Sequence, residues 1–418
     1  MLQKISIQDL RLGMHLHELC GTWLDHPFWR CKFVLADAAD LAKLRTSGVK
    51  ECWIDDSKGL GMLPAPAPPT PRPRPPEAVV PRIVPQPVKP EPATRVSMVE
   101  ELARAALLIK QSRAAVTAMF AEARMGRMSN AEQTNEMVAE IAASVWRNPE
   151  AMVSLARLKT HDDYSYMHSV AVCALMVSLS RQLGHEEAQA RQAGKAGLLH
   201  DIGKAFMPLE LLNKPGKLTA AEYTLIKQHP QRGHGLLLQA NASAMTLDVC
   251  LHHHERCDGQ GYPFGLSGAA LTLPARMGAV CDVYDAITSN RPYKAGWDPA
   301  ESIAHMADVT KKGQFDPVVF RAFVTGLGIY PTGSMVRLRS GRLAVVVEQN
   351  PAGLASPKVK VFFSTKSQMP VVLEVIDLNQ PGCTELITGR ESNSSWNFKH
   401  LDELWAGPEA LKKSSSSG

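Results

Sequence analysis

The chain has 418 residues, of which 45% are hydrophobic and 21% charged, with a formal net charge of +5. That length exceeds one ordinary core and implies two or three domains; the composition is that of a globular protein, and the charge is too small for a nucleic-acid binder. Eight scattered cysteines without a C-x-x-C argue against a zinc ribbon or disulfide framework and fit a reducing compartment. The N-terminus lacks the apolar core of a signal peptide, and the longest apolar run, SVAVCALMVSLS, is too short to span a bilayer, so a cytoplasmic protein without a membrane span is expected.

Residues 1–62 mix short alternating stretches (ISIQDLRLGMHLHEL, VKECWIDD) with one helix-like segment, ADAADLAKLRTSG, and read as a small, regulatory α+β domain. Residues 63–96 form a linker: the prolines of PAPAPPTPRPRPPEAVVPRIVPQPVKPEP remove amide donors and fix φ, which leaves an extended spacer. Residues 97–328 read as helical. There Val99, Leu102, Ala106, Ile109, Val116 and Phe120 follow a three-four spacing, which suits a helix packed on its own domain or one that forms a homodimer. In residues 329–390, SMVRLRSGRLAVVVEQ reads as strand, turn and strand, and KVKVFF and VVLEVID as further strands of a small β appendage. Residues 391–418 end in a tail, KKSSSSG, expected to be disordered.

Nine of the fourteen histidines fall between His161 and His254. Asp162 or Asp163 can cap a helix that Gly184 ends, and this places His168 near its first turns among apolar neighbours, as a core residue or a ligand. His200 and Asp201 close the apolar helix of AGKAGLLHDIGKAFMP, with the carboxylate neutralised by Lys204 or by a metal. Thr219 and Glu222 form a capping box, and Pro230 is expected to stop that helix at His229, with His234 beyond it in a loop. In LHHHERCDGQGYP, successive helical positions point about 100° apart, so only two of His252, His253 and His254 can flank one metal. Asp282 and Asp285 share a helix face, with Arg291 and Lys294 following to balance their charge. Imidazoles and carboxylates at five helix ends, without sulfur, suit iron or manganese, and their number suits a pair of cations.

His200-Asp201-Ile202-Gly203-Lys204, the HHE…DGQGYP segment and CDVYDAITSNRPYK together resemble the HD-GYP family, a branch of the HD phosphohydrolases that hydrolyses cyclic di-GMP. The first sixty residues resemble a small domain of unknown function often found ahead of such modules. The resemblance implies a multi-domain, mainly α protein with an HD-type helical bundle core. It also implies two divalent metal ions, iron or manganese: His168, His200, Asp201 and Asp282 on one, and His229, His253 and His254 on the other, bridged by Asp201. Lys204 would lie beside the scissile phosphate, Asp285 would hold Lys204, and Arg291 and Lys294 would grip phosphate oxygens. Gly261, Tyr262 and Pro263 would shape the mouth of the pocket and offer a docking loop for partners such as diguanylate cyclase domains. Tyr164 stands where members with a third metal carry glutamate, which favours two.

The chemistry expected from this resemblance is attack on phosphorus by a hydroxide bridging the two metals, giving pGpG and, in a second round, GMP. The rival readings are a cyclic di-GMP receptor or docking module with little turnover, and a phosphohydrolase of another cyclic dinucleotide.

Overall fold

The computed structural model describes residues 2–20, 33–46, 50–60, 96–128, 131–158, 164–214, 216–289, 296–350, 352–408 and 410–411. The prolines of the linker, Asp162, Asp163, Arg291, Lys294 and the serine tail lie outside them. The chain divides into two compact units, Met1–Pro87 and Val88–Gly418.

The first unit is α+β. Strands β1 (Leu2–Ser6), β2 (His15–Cys20), β3 (Phe33–Val34) and β4 (Glu51–Asp55) form an antiparallel sheet of order β1-β4-β2-β3, with helix α1 (Ala38–Thr46) between β3 and β4. Register sets Ile5 opposite Cys52 and Leu16 opposite Ile54. These residues share one buried cluster with Leu10, Met14, Leu35 and Leu44 of α1.

The second unit is built on helices α2 (Met98–Arg124), α3 (Ala131–Arg147), α4 (Pro149–Ala156), α5 (Tyr164–Gln182), α6 (Glu187–Leu199), α7 (Leu209–Leu212), α8 (Ala220–Ile226), α9 (His229–Gln239), α10 (Ala244–His252), α11 (Leu273–Thr288), α12 (Pro299–Lys311) and α13 (Pro317–Leu327). Helix α5 is apolar on every side, and this fits its burial all round as the central helix. Gly184, at φ +84°, ends it with the left-handed turn that the sequence suggested. On α2 the residues Leu102, Ala106, Ile109, Val116 and Phe120 are buried against the unit's own core. The stripe therefore packs within its own unit, and Val99, 81% exposed, lies off it. Glu101, fully buried on the same helix, is matched by Arg147 at 2.7 Å and Ser144 at 2.8 Å.

Strands β5 (Met335–Leu338), β6 (Arg342–Glu348), β7 (Lys358–Ser364), β8 (Met369–Asp377) and β9 (Ile387–Arg390) make an antiparallel sheet of order β8-β7-β6-β5-β9, followed by α14 (Leu401–Ala406). This sheet is fastened to the helices. Met335, Leu343, Val345 and Phe363 join the main core, buried Glu150 accepts from Thr332 Oγ1 at 3.0 Å and Gln349 N at 2.8 Å, and Asp298 Oδ2 accepts from Met335 N at 3.0 Å.

Candidate metal centre

Five helix ends or faces converge. His168 lies on α5, His200 caps the C-terminus of α6, and Asp201 opens the 3-10 turn Ile202–Phe206. His253 caps α10, His254 follows it, and Asp282 and Asp285 lie on α11. His229 differs from the sequence expectation. It opens α9 instead of ending α8, and His234 is helical instead of a loop residue. Pro230 in the first turn of α9 is the reason, since a first-turn proline forfeits no intrahelical hydrogen bond.

The seven side chains gather into two groups. Ligand-capable atoms of Asp201, His229, His253 and His254 lie within 4.8 Å of one another, as do those of His168, His200 and Asp282. Asp201 faces both. Its Oδ1 is 3.1 Å from His229 Nε2 and 3.6 Å from His253 Nε2, while Oδ2 is 3.4 Å from His168 Nε2 and 3.3 Å from His200 Nε2. Asp282 also looks two ways, with Oδ1 2.9 Å from His168 Nε2 and Oδ2 3.5 Å from His254 Nδ1. The turn carrying Asp201 reaches this position because residue 203 is glycine: a Cβ there would fall 1.9 Å from the carbonyl oxygen of His229.

The tautomers suit cations. His200, His229 and His253 each point Nδ1 at a backbone carbonyl: Gly197 at 2.7 Å, Ile226 at 2.7 Å and Cys250 at 3.0 Å. A carbonyl can only accept, so each Nδ1 is the donor and each ring turns its Nε2 inward. His168 does the same by pointing Nδ1 at Asp285 Oδ2, 2.6 Å away. The inward nitrogens then meet in pairs, His168 with His200 at 3.3 Å and His229 with His253 at 3.4 Å. Facing lone pairs repel unless a proton or cation lies between them.

Burial works against charge on Asp201, but Lys204 and His200 outweigh it and hold the carboxyl well below its usual range. Asp282 is likewise held down against burial by His168 and His200. Burial opposes charge on His200 too, yet Asp201 and Asp282 raise it to about 10. Burial, aided by charge on His200, takes His253 down to about 4, and burial with His253 takes His254 well below its usual value. The two carboxylates thus demand positive charge. Asp201 Oδ1 nevertheless remains buried without a hydrogen-bond donor. A buried acceptor without a donor among inward imidazole nitrogens fits a divalent cation.

Some expectations are corrected. Asp285 sits on His168 and accepts from Ser289 Oγ at 3.2 Å, whereas Lys204 donates to Asp201, so Asp285 does not hold Lys204. His252, the first histidine of its run and the one expected to point elsewhere, does turn away, to Asp248 Oδ1 at 2.9 Å. Glu255 is a residue the sequence reading missed. It is 2% exposed and accepts from the backbone N–H groups of Phe264 at 2.7 Å and Leu266 at 3.0 Å, so it anchors the loop carrying Gly261, Tyr262 and Pro263. Gly261 packs on it so closely that a Cβ would lie 2.4 Å from Glu255 Cα, and Tyr262 stacks on the ring of His254 at 4.6 Å. The glutamate directly after the histidine run was the available signal.

Comparison with known proteins places this geometry. A family described as HD domain matches residues 115–319, and a domain of unknown function, DUF3391, matches residues 2–134, past the proline-rich segment into α2 and α3. A cyclic di-GMP phosphodiesterase of Pseudomonas aeruginosa is 54% identical over 419 residues, covering 100% of this chain and 98% of its own. The chain belongs to the HD-GYP family.

Other relatives match over less than half of the chain. A 3'3'-cGAMP-specific phosphodiesterase of Vibrio cholerae is 35% identical over 180 residues, covering 42% of each chain. The cyclic di-GMP phosphodiesterase response regulator RpfG of Xanthomonas campestris is 38% identical over 186 residues, covering 43% of this chain and 48% of its own. Divalent metal binding follows from the HD domain. Among the described residues, no helix is long and apolar enough to cross a membrane.

Proposed function

We propose that this HD-GYP protein is a metal-dependent phosphodiesterase that hydrolyses cyclic di-GMP to pGpG, with GMP as the product of a second cut. His168, His200, Asp201 and Asp282 would hold one divalent cation, and Asp201, His229, His253 and His254 a second. The observation that carries this reading is the Asp201 carboxylate, one oxygen turned to each group of imidazoles and one of them buried without a donor. Iron or manganese suits this nitrogen and oxygen donor set.

Bound there, divalent cations supply Lewis acidity and make water acidic enough to act as a nucleophile at neutral pH. The chain's own residues do the rest. Asp285 fixes the tautomer and direction of His168. Lys204 brings its ammonium beside Asp201 and is placed to take up charge growing on the phosphoryl oxygens. Tyr262, stacked on His254 and held by the loop that Glu255 anchors, shields one side of the centre from bulk water. Arg291 and Lys294 take phosphate contacts on the strength of the resemblance, which also suggests a docking loop for diguanylate cyclase domains, a homodimer and a cytoplasmic location.

The test is metal analysis of anaerobically purified protein with a chromatographic assay of cyclic di-GMP. Wild type should contain two cations per chain and turn over cyclic di-GMP. Asp201→Ala should lose both cations and at least about a thousandfold in turnover while keeping its circular dichroism spectrum. Full turnover by that variant would falsify the scheme. A second reading, hydrolysis of 3'3'-cGAMP, draws on the Vibrio cholerae relative's name. The ratio of kcat/KM for the two cyclic dinucleotides decides between them.

A further inference from the structure

Lys227 closes α8, two residues before His229. Its ammonium lies 4.6 Å from the ring centre of Tyr223, one helical turn back, and 5.1 Å from that of Tyr262. Tyr262 in turn stacks on His254, 4.6 Å between ring centres and 28° between planes. A layered order results, from metal-centre histidine to loop tyrosine to lysine, with Tyr223 on the outside at 48% exposure. Among the described residues no carboxylate pairs with Lys227. Lys214, just ahead of the same helix, shows the alternative, since it is neutralised by Glu222 of α8 at 2.7 Å. Ring faces orient an ammonium without cancelling its charge, so Lys227 is held in place and remains available to an anion.

We infer that Lys227, clasped by Tyr223 and Tyr262, binds the phosphodiester of a cyclic dinucleotide that is not being cleaved. This rests on the phosphodiesterase reading above. A cyclic dinucleotide carries two phosphodiesters on opposite sides of its ring. While one is at the metal centre beside Lys204, the other must lie off it, and a cation one aromatic layer away meets it there. Lys227 is then a binding residue that selects two-phosphate rings over simple phosphodiesters, with Tyr223 as its positioning residue.

The test uses the full chain loaded with manganese, and the variants Lys227→Gln, Lys227→Arg and Tyr223→Ala. For cyclic di-GMP, Lys227→Gln should raise KM roughly ten- to hundredfold, the loss falling on KM and not on kcat. Its loss on bis(p-nitrophenyl) phosphate, which has a single phosphodiester, should be at least about tenfold smaller. Equilibrium binding of a hydrolysis-resistant phosphorothioate analogue of cyclic di-GMP should weaken in step with KM. Lys227→Arg should recover most of the loss, and Tyr223→Ala should show a weaker form of it. Equal losses on both substrates, or an unchanged KM for cyclic di-GMP, would overturn the assignment. Wild-type protein that cleaves bis(p-nitrophenyl) phosphate but neither binds nor cleaves any cyclic dinucleotide would instead remove the functional reading, and this assignment with it.

Discussion

Nδ1 of His168 lies 2.6 Å from Oδ2 of Asp285, a contact between α5 and α11 that joins residues 117 apart in the chain. Both side chains are buried. The carboxylate can only accept, so it fixes the proton on Nδ1 and leaves Nε2 to face Asp282 and His200.

The first prediction concerns that pair. Asp285→Asn keeps the shape but offers a weaker acceptor and permits the wrong tautomer. The affinity of the His168 group for Mn2+ should fall roughly ten- to hundredfold, with turnover falling alongside. Calorimetric titration of the metal-stripped protein measures it. Unchanged affinity would show that the contact does no more than pack α5 on α11.

Removing the metal should loosen the bundle. In the stripped protein the inward nitrogens of His168 and His200, and of His229 and His253, face one another with only protons to separate them. Adding Mn2+ to a hundredfold excess over Kd should raise unfolding stability by about 2.7 kcal/mol for each site. Thermal melts with and without chelator report this, and Asp201→Ala should flatten the response.

Much of this cluster was legible because several of its residues sit where the sequence marks a helix end, as His200 and Asp201 do after the apolar run of α6. What was not legible depends on choices that local pattern leaves open. Pro230 is compatible both with ending α8 and with starting α9, and in the fold it stands in the first turn of α9. The partner of Asp285 could not be read either, since helix spacing gives its face but not the helix it meets. The strands of 329–390 were readable from alternation, yet their attachment to Glu150 and Asp298 depends on residues far away in the chain.

Glu255→Gln should free the loop. A neutral amide accepts more weakly than a carboxylate and cannot serve both Phe264 and Leu266 as well, at a cost of about 1–3 kcal/mol. Hydrogen exchange at those two amides should accelerate, with protection in α5 and α6 unchanged. Unaltered exchange at Phe264 and Leu266 would show that the loop is held by other contacts.

The attachment of the sheet should respond to acid. Burial raises the carboxyl of Asp298, which caps α12 and accepts from Met335, to about 6 against an ordinary 3.8. The folded state therefore binds this proton more tightly than the unfolded state. The group's contribution is most favourable below pH 4 and is lost as pH rises through 6, by up to about 3 kcal/mol. Asp298→Asn cannot titrate, so wild type should lose stability relative to the variant between pH 4 and 6. Urea midpoints measured across that range decide it, and parallel curves would refute it.

The bare α-carbon of Gly203 lets one turn rest directly on the main chain at His229. The spacing of the two backbone segments that carry Asp201 and His229 is thus set by peptide resting on peptide. Any side chain larger than hydrogen at position 203 would wedge those segments apart and draw Asp201 away from His229.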